Sequence, residues 1–224
     1  MNQVISITSP ENLPVLENIC AEMSLKANVT FYGRGTAVQS MLDLLGIESN
    51  EKRIVVSVAT QDKTKAFIRE QTRRLHIGVP GHGIVIAVPI KSIGGGKTVA
   101  YLKGDENTNE KYVPPTSYAY ELIVVIASEG NTDLVMNAAR SAGARGGTVL
   151  HGKGTSANGD QKFYNISIAQ EKEVILIVAS SETKNGIMRA ILKTAGPETP
   201  AQAIVFSTPI SEVAGFGLFS DNAP

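Results

Sequence analysis

The chain has 224 residues, enough for two small domains of roughly 100 residues each, and its 21 Lys and Arg balance 21 Asp and Glu. A formal net charge of zero gives no long-range field to draw in a nucleic-acid backbone or an anionic membrane, so the expected partners include no nucleic acid. Cys20 is the one cysteine, which excludes an intrachain disulfide, and its neighbours Ile19, Ala21 and Met23 suit a buried thiol in a reducing compartment.

Met1 to Ile5 has no cationic or sustained apolar leader pattern, and the apolar runs are strand-length, so a soluble cytoplasmic protein with no membrane insertion is expected. Val4 to Thr8 predicts a strand. Leu13, Leu16, Ile19, Cys20 and Met23 then recur at three- and four-residue steps, the pattern of a helix with one face on a sheet. Val29 to Tyr32 predicts a strand entering a tight turn at Gly33-Arg34-Gly35-Thr36; Arg53 to Ala59 predicts the next strand, Thr64 to Leu75 a helix carrying Arg69, and Ile84 to Ile90 a last strand. Gly94 to Tyr118, with its glycine run and Pro114-Pro115, reads as a linker, with a short edge strand over Thr98 to Leu102.

The order then begins again. Leu122 to Ala127 predicts a strand; Leu134, Val135, Ala138, Ala139 and Ala142 a helix; Thr148 to His151 a strand entering Gly152-Lys153-Gly154-Thr155. Glu173 to Ala179, Lys184 to Ala195 with Arg189, and Ile204 to Ile210 complete the copy. The two glycine motifs are offset by 152 − 33 = 119, and the pairs Glu51-Lys52 and Glu171-Lys172 by 171 − 51 = 120, so the chain is an internal repeat. The expected fold class is α+β: two tandem ferredoxin-like (βαββαβ) plaits with antiparallel sheets, each with one sheet face left bare by its helices. The expected domains are repeat 1 over 1–95, a linker over 96–118, repeat 2 over 119–217 and a C-terminal tail over 218–224.

Two glycines flanking a cation and followed by a hydroxyl suit an anion, because backbone N–H groups can approach closely while the cation adds charge. Gly33, Arg34, Gly35 and Thr36, and in the second copy Gly152, Lys153, Gly154 and Thr155, are therefore candidate phosphate ligands; the plainer reading is a turn with positive φ. A second loop, Gly78-Val79-Pro80-Gly81-His82-Gly83, joins helix to last strand, and its counterpart Glu198 to Ala203 has lost every glycine. Gly94-Gly95-Gly96-Lys97-Thr98 lacks the glycine a P-loop needs at Lys91 and reads as linker. His76, His82 and His151 are too scattered for a metal centre, and no nucleophile or paired-carboxylate motif points to catalysis. Glu51 and Glu171, each beside a lysine, read as solvated ion pairs.

Ala142 to Thr155, followed by Glu171-Lys172-Glu173-Val174-Ile175-Leu176-Ile177-Val178, resembles the P-II nitrogen regulatory protein family, and copy one is similar through Phe31 to Thr36 and Gly78 to Gly83. The resemblance implies a homotrimer, nucleotide held in clefts between neighbouring domains, and regulation of a partner protein, extending to nitrogen regulation. Its implied site comprises Gly33, Arg34, Gly35, Thr36, Lys52, Gly78, Gly81, His82 and Gly83, with Gly152 to Thr155 in the second copy. The family's modified tyrosine has no counterpart in Met41 to Ile47, and Tyr164 is a candidate for it in copy two. Ile84, Gly94 and Gly96 stand where the family carries phosphate-binding cations. The expectation is thus a regulator, not an enzyme, with no required cofactor and an adenine nucleotide (ATP, ADP or AMP) or another small anion as effector. The alternatives are an oligomeric scaffold with a vestigial site, or a phosphoryl or acyl hydrolase using Arg34 or His82.

Overall fold

The computed structural model describes residues 1–37, 49–79, 81–93, 101–102, 117–153, 162–163, 166–167 and 171–216. The chain forms two compact units: Met1–Tyr32, Val38–Tyr120 and Pro209–Pro224 make the first, Gly33–Ala37 and Glu121–Thr208 the second.

In the first unit β1 (Asn2–Thr8) leads through a 3₁₀ turn (Pro10–Asn12) to α1 (Leu13–Glu22), then β2 (Asn28–Gly35, through Tyr32 in this unit), β3 (Glu51–Ala59), α2 (Gln61–Arg74) and β4 (Gly83–Pro89). The sheet order is β2-β3-β1-β4, closed at the β4 edge by β11 (Glu212–Ala214). That order, with β1 antiparallel to both β3 and β4, is the ferredoxin-like plait. Thr60 caps α2 by accepting from the Lys63 amide, and Asp62 in the first turn with Arg73 and Arg74 in the last complement the helix dipole. Alternation puts Val4, Val55, Val85 and Ala87 on the face that packs against Leu16, Ile19, Phe67 and Leu75. The Asn2 amide donates to Thr64 Oγ1 (3.1 Å), which donates to Thr60 O (2.7 Å), tying the start of β1 to the start of α2.

The second unit repeats the plan: β5 (Tyr120–Ser128, from Glu121), α3 (Thr132–Ser141), β6 (Thr148–Lys153), the short hairpin strands β7 (Lys162–Phe163) and β8 (Ile166–Ser167), β9 (Glu171–Ser180), α4 (Lys184–Ala195) and β10 (Ile204–Ile210), in sheet order β10-β5-β9-β6. Ile187, Ile191 and Ala195 at four-residue steps on α4 join Val135, Met136 and Ala139 of α3 over Ile123, Val125, Ile175 and Ile177.

Four expectations are corrected. The sheet face opposite the helices in the first unit is not bare: Ile5, Ile7, Ile54 and Ile86 on it are at most 7% exposed. Gly33 to Gly35 and Gly152 to Lys153 are strand, because sheet pairing extends through them, and none of these glycines has a positive φ. Tyr101 and Leu102 are helical rather than an edge strand. The ion pairs of Glu51 and Glu171 are made with Arg53 (3.6 Å) and Lys153 (3.3 Å) rather than with the adjacent lysines. Met41 to Ile47, Gly94 to Ala100, Tyr164 and the 218–224 tail lie outside the described residues.

Candidate functional site

Register brings three backbone ends together in the first unit. Thr8 at the end of β1 stands opposite Arg53, which follows Lys52 near the start of β3, and opposite Gly83 at the start of β4. The loop entering β4 turns on Gly78, Gly81 and Gly83, with φ of 116°, 87° and 125°, a region L side chains rarely adopt. At Gly83 a Cβ would stand 2.1 Å from the Ile7 carbonyl oxygen, so glycine is required sterically as well as torsionally.

Side chains close on this loop. Lys52 Nζ donates to the Gly81 carbonyl (3.3 Å), Thr8 Oγ1 donates to the His82 carbonyl (3.3 Å), and His82 Nδ1 lies 3.2 Å from the Leu75 carbonyl, to which it donates as the Nδ1–H tautomer. The His76 ring stands edge-on to His82 with centroids 6.1 Å apart. Burial pushes the Lys52 ammonium below the usual lysine range, and the nearby Glu11 carboxylate opposes that shift. Glu11 is itself held below the usual carboxylate range, first by a hydrogen bond from Ser9, then by its own backbone amide, with smaller contributions from Lys52 and His82. The Lys52 ammonium thus faces the Gly81 carbonyl and the Glu11 carboxylate, with desolvation outweighing the attraction of Glu11. Glu11 and Thr8 went unrecognised in the sequence because neither sits in a glycine motif; only the strand register brings them to Lys52.

The corresponding end of the second unit is closed. Lys172, at 52 + 120, donates to Ser128 Oγ (3.1 Å), and the Ser128 amide donates to Ala201 O (2.9 Å). Ala201 and Ala203 are fully buried where the first unit has Gly81 and Gly83.

The other candidate residues belong to the second unit. Gly33, Arg34 and Gly35 pair antiparallel with Leu150, Val149 and Thr148 of β6. Thr36 is fully engaged: its amide donates to Gly147 O (3.0 Å), its hydroxyl accepts from Gly147 N (2.8 Å), and the Arg140 guanidinium donates to its carbonyl. Gly147 is bound to this role by packing, since a Cβ there would lie 3.1 Å from Leu176 O and 3.2 Å from Met136 Sδ. Arg34 is exposed. Gly152 and Lys153 pair with Lys172 and Glu171 of β9, and Gly154 and Thr155 lie outside the described residues. Among the described residues no group of three or more His, Cys, Asp or Glu could hold a metal, and no helix is long and apolar enough to cross a membrane.

These features define a tandem ferredoxin-like protein with a glycine-lined cationic sheet end in its first unit. Residues 120–216, a little under half of the chain, match the family model described as Nitrogen regulatory protein P-II, so the second repeat is similar to a P-II domain. Similar solved structures include PII of Arabidopsis thaliana bound to citrate (19% identity, 42% of this chain and 78% of that one, TM-score 0.33) and GlnK of B. subtilis (16% identity, 42% and 87%, TM-score 0.31). A protein of Galdieria sulphuraria described as unknown is similar over 92% of this chain and 96% of its own, at 12% identity and a TM-score of 0.29. No curated protein matches the chain.

Proposed function

We propose that this chain is a regulatory signal-transduction protein that binds a small anionic effector, an adenine nucleotide in the leading reading, and passes that state to a partner protein. The observation that supports it is the half-buried Lys52 ammonium against the Gly81 carbonyl, in a loop that turns on three left-handed glycines. The match of residues 120–216 to the P-II family model supports reading the chain as a regulator rather than a catalyst, and nitrogen status is the signal that this similarity suggests. In this reading the chain works as a homo-oligomer, with three copies the expected number, and needs no cofactor.

A thermal-shift panel with ATP, ADP, AMP, cyclic AMP, cyclic di-AMP and 2-oxoglutarate tests the reading, since a ligand at 100 times its Kd stabilises the folded state by about 2.7 kcal/mol. One compound should raise the midpoint, and Lys52→Ala should abolish that rise. A second reading, a scaffold with a vestigial site, is favoured by Thr36, whose polar groups are already occupied by Gly147 and Arg140. A panel with no response would select it.

A further inference from the structure

The internal repeat supplies a control for the core, because a buried position in one unit has a twin in the other. At the offset of 120, the buried stripe Thr64, Phe67, Gln71 and Leu75 at α2 matches Lys184, Ile187, Ile191 and Ala195 of α4. At offsets of 119 and 120, Ser6 of β1 and Ser57 of β3 match Val125 of β5 and Ile177 of β9. Val125, Ile177 and Ile191 are fully buried, and Ser6, Ser57 and Gln71 are at most 1% exposed. The second unit thus seats its helix on apolar side chains, while the first has three polar ones in the same places.

These polar groups follow the length of α2. The Asn2 amide bond to Thr64 Oγ1 fixes the start of the helix at the start of β1. Gln71 comes 71 − 64 = 7 residues later, about 10 Å along the axis at about 1.5 Å per residue, level with the middle of β1. There Ser6 shares the helix-facing side of the strand with Val4, and Ser57 stands opposite Val4. Among the described residues, neither Ser6 Oγ nor either end of the Gln71 amide has a hydrogen-bond partner. Water reaching these groups when the helix lifts returns the hydration that burial removed. Lifting α4 returns nothing comparable, because Ile191 and Val125 meet water as apolar surface.

The far end of α2 hangs on the loop entering β4. Leu75 O accepts from His82 Nδ1 (3.2 Å), and the His82 carbonyl accepts from Thr8 Oγ1 (3.3 Å). Arg74 also pairs with Glu22 of α1 (2.6 Å), but that carboxylate side chain is 60% exposed and such pairs contribute little. We infer that the second half of α2, Ile68 to Leu75, opens together with the loop entering β4 as one unit, while Phe67 and the first half stay docked on the sheet. In the function proposed above, an effector seated on the loop holds this unit shut and so fixes the face of α2 that a partner meets. That regulatory step rests on the reading of the ligand site; the opening itself does not.

Hydrogen exchange of the full chain, read by mass spectrometry as protection factors, tests the inference. Ile68 to Leu75 should be less protected than β1, β3 and the twin segment Met188 to Ala195, by about tenfold or more, with little dependence on low denaturant. Gln71→Met should close most of that gap, and the smaller change Ser6→Ala should narrow it. Thr8→Val removes the hydroxyl that holds the His82 carbonyl; it should lower protection of Ile68 to Leu75 several-fold and leave Met188 to Ala195 unchanged. Equal protection of Ile68 to Leu75 and the strands overturns the opening unit, and unchanged α2 exchange in Thr8→Val overturns its coupling to the loop. ATP, ADP and AMP are then added in turn. A nucleotide that raises the melting midpoint should raise protection of Ile68 to Leu75 more than of Met188 to Ala195; a raised midpoint without that difference overturns the regulatory step. No response to any of the three in either measurement counts against the nucleotide reading and leaves the opening unit standing on the unliganded exchange.

Discussion

Gly83 sits at a φ of 125° with the Ile7 carbonyl oxygen where a Cβ would stand, whereas Gly78, at 116°, has nothing within 4 Å. The two glycines are thus held for different reasons, and substitution separates them. Gly78→Ala should cost about 1–2 kcal/mol, the left-handed strain alone. Gly83→Ala should cost on the order of 3 kcal/mol or more, because β1 or β4 must shift as well; urea unfolding of both variants checks the difference. Cys20 is 5% exposed, and burial pushes its thiol up to about 11. A folded-state value above the unfolded one gives a stability contribution that is complete below pH 9 and lost as pH rises through about 11. Iodoacetamide at pH 8 should label Cys20 slowly in the native protein and rapidly in denaturant. The burial of Cys20 was readable from Ile19, Ala21 and Met23, while the company of Lys52 was not, since Glu11 and Gly81 reach it from distant segments.

Among the elements, α2 carries both a strong point and a weak one. Phe67 is fully buried between α1 and the sheet, and Phe67→Ala should lower stability by about 3–5 kcal/mol. Gln71, one turn further, is also fully buried, yet neither its amide nitrogen nor its oxygen has a hydrogen-bond partner. Replacing it with the similarly sized Met removes that desolvation penalty and should raise stability by about 1–3 kcal/mol, read as a higher urea midpoint. Element legibility follows the same physics. The apolar period placed α4 at Lys184 to Ala195 and β10 at Ile204 to Ile210 without error, because burial of one face dictates both. It misplaced the end of β2, because a Gly-Arg-Gly run is equally compatible with a turn and with a strand, and pairing with β6 decides for the strand.

For the whole molecule, the repeat predicts two equivalent sheet ends, but the loops entering β4 and β10 differ. Calorimetric titration should therefore give one effector per chain, lost with Lys52→Ala and unaffected by Lys172→Ala, since Lys172 is already satisfied by Ser128. Affinity should fall as pH rises through the lowered Lys52 value, where the ammonium loses its charge. The sequence by itself determined that the chain is a duplication of a βαββαβ unit and that each copy carries a Gly-basic-Gly motif, with a further glycine loop in the first, because apolar period and repeat spacing are properties of local order. Only the tertiary structure decided which glycines stay available: it drew Gly33 to Thr36 into the second unit against β6 and Gly147, and left the Gly78 to Gly83 loop beside Lys52 in the first. Strand pairing joins residues more than a hundred positions apart, and no local pattern of side chains specifies which edge a segment will add to.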